Sequence, residues 1–334
     1  MAGWHGVIVT QTAPRVARYV RRIPDADYRG LPMAPRLLAT SDLHVNRSEN
    51  EAVVEDLHPT DPGDWLIVAG DVGDRVEHLR RTMTTLAERF ARVIWVPGNH
   101  ELWTQRDEET DAVGPARYAA LVEVCRASGV LTPEDEWPVW DPDGTAGGPA
   151  LICPLFLLYD YSWRMRPDMV GLGEREALDV AREAGVVCTD EILMSSDPFP
   201  GPPAWCAERL ELSRERLAAR PAGMPTVLVN HWPLTALPLQ VLRHPEFSLW
   251  CGSVATMRWH VEYDAAAVVY GHLHLPRTTW EDGVRFEEVS VGYPREWERH
   301  GLVRGPLRQI LPAPPVEDRD PFTAWAVAQG ARWR

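Results

Sequence analysis

The chain has 334 residues, 45% of them hydrophobic, and a formal net charge of −14. That composition is that of a globular protein, and no run of 18 or more apolar residues offers a membrane span. The acidic balance argues against general nucleic-acid binding, which rests on neutralising phosphates with Lys and Arg, but it permits a small phosphorylated substrate, because bound cations reverse the field inside one pocket.

Residues 1–35 carry Arg15, Arg18, Arg21, Arg22 and Arg29 but no core pattern. They read as a basic arm, mobile or loosely docked, and the absence of a long apolar run in them gives no signal peptide. Apolar, β-rich runs follow, each ending in residues with chemistry. Leu37–Thr40 leads into Asp42-Leu43-His44, and Trp65–Ala69 into Gly70-Asp71. Val93–Val96 leads into Gly98-Asn99-His100, Thr226–Val229 into Asn230-His231, and Ala267–Tyr270 into Gly271-His272-Leu273-His274. Short continuous apolar runs are what strands buried on both faces look like. Between the second and third, Val76, Leu79, Met83, Leu86 and Phe90 recur at helical spacing and predict a helix over 76–90. Residues 115–128 and 204–219 read as further helices, and Asp282-Gly283 as the turn of a hairpin over 277–291. The segment 141–149 reads as a loop. Strands alternating with helices predict an α/β fold, one domain over 36–304 with an insertion at about 154–225, followed by a Pro-rich tail over 305–334 packed on the surface. The five cysteines, Cys125, Cys153, Cys188, Cys206 and Cys251, are scattered and odd in number, which fits a reducing cytoplasm and makes a thiolate metal site unattractive.

Taken singly, each polar block has an ordinary reading: Gly-Asp is often a turn, and Gly-Asn-His a turn that caps the next helix. Their joint occurrence after five apolar runs is different. The carboxyl edge of an open α/β sheet is where ligands bind, so the blocks would converge. Oxygen and imidazole donors without thiolate suit Mn, Fe, Zn, Co or Ni, and the seven candidates Asp42, His44, Asp71, Asn99, His231, His272 and His274 are too many for one zinc ion, which takes about four ligands.

The blocks Asp42-Leu43-His44, Gly70-Asp71-Val72-Gly73-Asp74, Gly98-Asn99-His100-Glu101, Asn230-His231 and Gly271-His272-Leu273-His274 resemble the signature of the calcineurin-like metallophosphoesterase superfamily, with separations of 25 residues (45–69) and 23 residues (75–97) between the first three. The resemblance spans about residues 36–292. It implies a four-layer α/β/β/α sandwich holding two metal ions. Asp42, His44, Asp71 and His274 would bind the first ion and Asp71, Asn99, His231 and His272 the second, with Asp71 bridging. It further implies a hydroxide held between the ions as the nucleophile, His100 as a general acid outside the ligand set, and Asp74 orienting it. Substrate contacts are expected from Arg75, Trp103, Tyr161, Arg164 and Trp232, the insertion also carrying Phe156, Tyr159, Trp163 and Arg166 as material for stacking a ring and clamping a second phosphate. Glu101 is expected to hold the backbone of the site, and Arg295 follows the last strand within reach of it. The alternatives are a Ser/Thr protein phosphatase of the same superfamily, against which Pro97 and Val76 stand where that branch has Arg and Gly, and a non-catalytic scaffold, against which no ligand is missing. The oligomeric state and the choice between monoester and diester stay open.

Overall fold

The computed structural model describes residues 34–105, 108, 110–142, 148–298, 302 and 305–314. Almost all of the basic arm, and the tail beyond residue 314, lie outside the described residues. Among the described residues, ten strands form two sheets. In the first, β1 (Leu37–Thr40), β2 (Trp65–Val68) and β3 (Arg92–Trp95) run parallel, in register from Leu37 opposite Trp65 and from Trp65 opposite Arg92. In the second, β5 (Ala150–Pro154), β6 (Thr226–Val229), β7 (Ala265–Tyr270) and β9 (Val284–Glu288) run parallel, with β4 (Val139–Trp140) and β8 (Arg277–Glu281) antiparallel at the two edges. β10 (Arg308–Leu311) adds antiparallel to β1. Part of the segment read as a surface tail is therefore a sheet strand, with Ile310 and Leu311 buried.

The strands alternate in where they bury their side chains, as a period of two requires. Leu37 and Ala39, Ile67 and Ala69, and Ile94 and Val96 point into one apolar layer with Ile152, Val227, Val229, Ala267 and Val269 of the other sheet. That layer is the sheet-on-sheet interface. The intervening residues Leu38, Leu66, Val68, Val93 and Trp95 belong to a second core that includes Leu79, Met83 and Leu86 of the helix following β2. Leu151, Cys153, Leu228 and Val268 belong to that core as well, with Trp205, Cys206, Leu210 and Leu217 of the long helix preceding β6. Helix, sheet, sheet and helix are the four layers of the expected sandwich.

The helices in chain order are α1 (Ser48–Glu55), α2 (Val76–Arg89), α3 (Asn99–Leu102), α4 (Gly114–Ala127), α5 (Glu174–Glu183), α6 (Asp190–Leu193), α7 (Pro202–Ala218), α8 (Trp259–Glu262) and α9 (Pro294–Trp297). α2, α4 and α7 fall where periodicity put them, to within two residues at either end. The hairpin turn also forms as read: Asp282 and Gly283 both adopt positive φ, 50° and 80°, which the tight hairpin turn demands.

Candidate active site

All parallel strands end at one edge, and the two sheets touch there through a bridge between Ser41 and Ser290. Asp42 lies two residues past β1, Asp71 three past β2, His231 two past β6 and His272 two past β7, while Asn99 opens α3. The chain must turn sharply at each of these points. Asp42, His44, Asp71, His272 and His274 have φ of 52°, 40°, 53°, 71° and 53°, five of the eight positive-φ non-glycine residues described. Such conformations cost energy and persist where the surroundings impose them, typically at functional sites.

The seven expected ligands do come together. His274 Nε2 is 3.0 Å from Asp42 Oδ1 and 3.1 Å from His44 Nε2. On the other side, Asn99 Oδ1 is 3.2 Å from both His231 Nε2 and His272 Nδ1. Asp71 Oδ2 stands between, 4.0 Å from His44 Nε2 and 3.5 Å from His231 Nε2. Donor atoms sharing one ion at bonds of about 2.1 Å sit roughly 3.0–3.4 Å apart in octahedral or tetrahedral arrangement, so the pairs at 3.0–3.2 Å fit a cation on either side of Asp71, whose own separations are slightly wider.

The electrostatics fit as well. Burial raises the carboxyls of Asp42 and Asp71, but His274 beside the first and His231 and His100 beside the second outweigh it and hold both below the usual carboxylate range. Burial lowers the imidazoles of His231 and His274; the carboxylates of Asp71 and Asp42 respectively more than reverse this, lifting His231 to about 9 and His274 well above its usual value. Burial, followed by a neighbouring histidine, lowers His44 and His272 to about 3, leaving them neutral. The two carboxylates thus draw in positive charge from either side, which a pair of divalent cations supplies, and two histidines stand ready as neutral donors. His231 Nδ1 is engaged with the Ala69 carbonyl at 2.8 Å, so it is Nε2 that faces the cluster.

His100 takes a different place. Its Nδ1 is 2.7 Å from Asp74 Oδ1, and Asn46 Nδ2 donates to Asp74 Oδ2 at 2.9 Å. Its Nε2 points at Asp71 Oδ2 (3.8 Å) and at the Tyr293 hydroxyl (3.3 Å). Burial lowers the His100 imidazole, but Asp71 and Asp74 outweigh it and the net shift is upward, as suits a proton donor near neutral pH. Trp103 packs on the ring with centroids 3.6 Å apart.

Acids and hydroxyls around the cluster set its geometry, buried in the case of Glu101, Asp190, Ser41 and Ser290 and exposed in the case of Glu296. The Glu101 carboxylate accepts from the backbone N–H of Asp71, Val72 and Gly98 at 3.0, 2.7 and 2.9 Å, the backbone-holding role expected of it. Ser41 and Ser290 hydroxyls each donate to Asp42 Oδ2 at 2.7 Å. Glu296 Oε2 lies 2.8 Å from His274 Nδ1. Asp190 Oδ1 accepts from Asn99 Nδ2 at 2.9 Å and from Trp103 Nε1 at 2.7 Å, which turns the Asn99 oxygen toward the two histidines. Sequence reading missed Asp190, Tyr293 and Glu296; only the Gly-Tyr-Pro turn after β9 hinted at the second and third.

The expected substrate contacts are placed unevenly. Arg75 is exposed at the N-cap of α2. Trp232 is fully buried, its ring 5.0 Å from that of His231 and 5.8 Å from that of His272. The Tyr161 hydroxyl donates to Glu191 at 2.7 Å, and Arg166 pairs with Glu246 and Asp168. Phe156 is interior, beside Tyr118 and Trp205. Arg164 is half-buried with Nη1 unpartnered.

Comparison with known proteins agrees with this geometry. Residues 35–276 match the family model described as calcineurin-like phosphoesterase. The chain is 53% identical over 280 residues to the [acyl-carrier-protein] phosphodiesterase PptH of Mycobacterium tuberculosis, covering 84% of each protein. The crystal structure of phosphopantetheinyl hydrolase PptH from that organism superposes with a TM-score of 0.81 at 51% identity, covering 86% of this chain and 99% of that one. The chain belongs to the calcineurin-like phosphoesterase family and is a phosphoester hydrolase.

Proposed function

We propose that this chain is a dinuclear phosphodiesterase that releases a phosphopantetheinyl group from a carrier protein. The observation that carries the reading is the Asp–His–Asn cluster divided by Asp71, in a chain 53% identical to a protein whose name states that activity. The phosphoester would then be borne on a protein, not on the small molecule first expected, and nothing in the site favours a protein phosphatase.

In this reading Asp42, His44, Asp71 and His274 hold one ion, and Asp71, Asn99, His231 and His272 the other. Ions of the Mn, Fe, Zn, Ni or Co class, when bound, polarise the phosphoryl oxygens and acidify water. The chain does the rest. Asp190 and Asn99, Glu296 and His274, and the two serines around Asp42 keep every donor aimed before substrate arrives. As a hydroxide oxygen, its parent water having lost a proton to solvent, bonds to phosphorus and the ester P–O bond breaks, His100 Nε2 would give its proton to the departing alkoxide, with Asp74 fixing the tautomer from behind. Trp103 shields that proton from bulk water. Five free, buried cysteines support a reducing compartment, and no described helix is long and apolar enough to cross a membrane.

The test is mass spectrometry of a phosphopantetheinylated carrier protein incubated with the metal-loaded chain. Loss of the phosphopantetheinyl mass, with free 4′-phosphopantetheine appearing, is expected. Turnover of bis-p-nitrophenyl phosphate without any change in the carrier protein would sink the carrier reading and leave phosphodiester hydrolysis standing.

A further inference from the structure

A pocket of about 530 Å³, lined by Arg47, Glu49, Tyr293, Pro294 and Arg295, opens beside the metal cluster. One residue joins the two. The Tyr293 ring stacks on His44 with centroids 4.3 Å apart and planes 21° from parallel, and its hydroxyl lies 3.3 Å from His100 Nε2. The pocket wall is thus also the neighbour of the proton donor.

The walls are tied together by buried groups. Asn50 of α1 is fully buried, and its side-chain N–H₂ donates to the carbonyls of Leu43 at 2.8 Å and Gly292 at 2.9 Å. It clamps the loop after β1 to the turn that carries Tyr293, while Arg47 occupies the N-cap position of the same helix with its side chain making no cap bond. Glu296 takes the Tyr293 backbone N–H at 2.8 Å as well as the His274 imidazole. Arg47 is exposed without an ion pair among the described residues, and Arg295 is 80% exposed, lying 5.2 Å over the Tyr293 ring in a long, solvent-screened ion pair with Glu296 at 3.9 Å. Two cations against one anion, Glu49, give the lining a positive balance on a chain whose net charge is −14.

We propose that this pocket is the leaving-group subsite and that Arg47 and Arg295 select alcohols carried on an anionic surface. The inference rests on the reading of His100 as the acid that protonates the departing oxygen. An oxygen within reach of His100 Nε2 is also within reach of the Tyr293 hydroxyl, so the group attached to it extends along Tyr293 into the pocket. A serine alkoxide leaving with an acidic protein surface around it meets that description; an uncharged leaving alcohol makes no use of the guanidinium groups.

The experiment compares two diesters that differ only in what leaves: methyl p-nitrophenyl phosphate, and methyl 3-carboxy-4-nitrophenyl phosphate, whose leaving phenol bears a carboxylate. Exposed arginine–carboxylate pairs are weak, so with two of them the metal-loaded full chain is expected to favour the carboxylated diester in kcat/KM by about two- to thirtyfold. The Arg47→Ala/Arg295→Ala double variant is expected to lose that preference, and Arg47→Lys/Arg295→Lys to recover part of it. Equal preference in wild type and double variant, or no preference in wild type, overturns the proposal. Titrating 5-hydroxy-2-nitrobenzoate and p-nitrophenol into the chelator-treated chain gives a reading independent of turnover. Tighter binding of the carboxylated phenol, abolished in the double variant, supports the subsite, and equal binding overturns it. A wild-type enzyme that shows the preference but leaves a carrier protein intact keeps the pocket and removes only the carrier reading.

Discussion

Replacing Asp190 separates the aiming of a proposed metal ligand, Asn99, from the ligand itself. Asp190 is buried, and burial, partly offset by Trp103 and Asn99, keeps its carboxyl above the usual range. Both hydrogen bonds it accepts fall on Oδ1, from Asn99 at 2.9 Å and Trp103 at 2.7 Å, while Oδ2 has no partner. Asp190→Ala leaves two buried donors unsatisfied at about 1–3 kcal/mol each. Relief of the buried charge offsets some of this, so a net destabilisation of about 2–4 kcal/mol is expected. The Asn99 amide then loses what sets its orientation, and its oxygen is free to leave His231 and His272. Loss of such a supporting partner weakens metal binding by about 10–100-fold. Asp190→Asn behaves differently. Its carbonyl oxygen still accepts both donors, its N–H₂ occupies the side where Oδ2 had no partner, and only the charge assistance goes, which roughly halves the strength of the two bonds. Metal content by mass spectrometry after dialysis at graded free Mn, together with calorimetric melting, should rank wild type above Asn and Asn above Ala. An Asp190→Ala protein that holds both ions with wild-type affinity would refute the argument that this carboxylate aims Asn99.

Three other substitutions probe separate parts of the structure. His100→Asn keeps a contact to Asp74 but carries no titrating proton; turnover of a diester should fall by about 10²–10⁴-fold at unchanged metal content, and full activity removes His100 from the mechanism. Gly271→Ala would place a Cβ 2.2 Å from both Asp42 Oδ2 and Ser41 Oγ, so Asp42 must move; the purified variant should lose an equivalent of bound metal at limiting supply, and normal content would show that the loop gives way without harm. Asp64→Asn tests a site away from the chemistry: burial raises the Asp64 carboxyl, but Arg36 and the backbone N–H groups of Arg36, Thr60 and Asp61 outweigh it and hold it below 3.8. A depressed native value means stability that is present above 3.8 and lost as pH falls through the native value. The variant should be weaker by about 2–3 kcal/mol at pH 7 in urea unfolding, with the gap closing below about pH 4; a gap independent of pH contradicts this assignment.

What could be read from sequence was what is local in it. A strand and the candidate ligand that follows it are contiguous, so Asp42, Asp71, Asn99, His231 and His272 announced themselves as polar residues at the ends of apolar runs. α2 was legible because its buried face keeps a helical period over fourteen residues. β5 was not, since Ala150–Pro154 is hemmed by prolines and ends in no chemical residue, and β10 was hidden by the Pro-rich composition around it. The supporting residues were beyond reach for another reason. Asp190 meets Asn99 across 91 residues, Tyr293 meets His100 across 193, and Asn50 meets Gly292 across 242. Only the folded chain makes these pairs, and nothing in their spacing encodes them. Aromatic and basic residues of the insertion were visible but ambiguous, and the fold spends the Tyr161 hydroxyl and the Arg166 guanidinium on Glu191 and Glu246, inside the protein's own packing.

Five strained residues in one cluster also say where specificity can reside. A left-handed non-glycine residue costs roughly 1–2 kcal/mol, so Asp42, His44, Asp71, His272 and His274 together carry about 5–10 kcal/mol, comparable with the whole stability of a typical domain. Such a cluster persists only if the surrounding backbone imposes it. Here the loops after β1 and β2 are zipped together by Asp42 N–H to Gly70 O, His44 N–H to Asp71 O and Val45 N–H to Val72 O, all at 2.9–3.0 Å, and Glu101 binds three more N–H groups from behind. The cage is therefore built by the fold and by partners that are buried apart from Glu296. The Arg47–Tyr293–Arg295 wall meets that framework through Asn50, Glu296 and the Tyr293 ring, which packs on His44 and His274 and reaches His100 with its hydroxyl. Exposed arginines on that wall can change without disturbing the left-handed loops, so the same hydrolytic cage can serve different leaving groups, with the choice made at the rim and not at the ions.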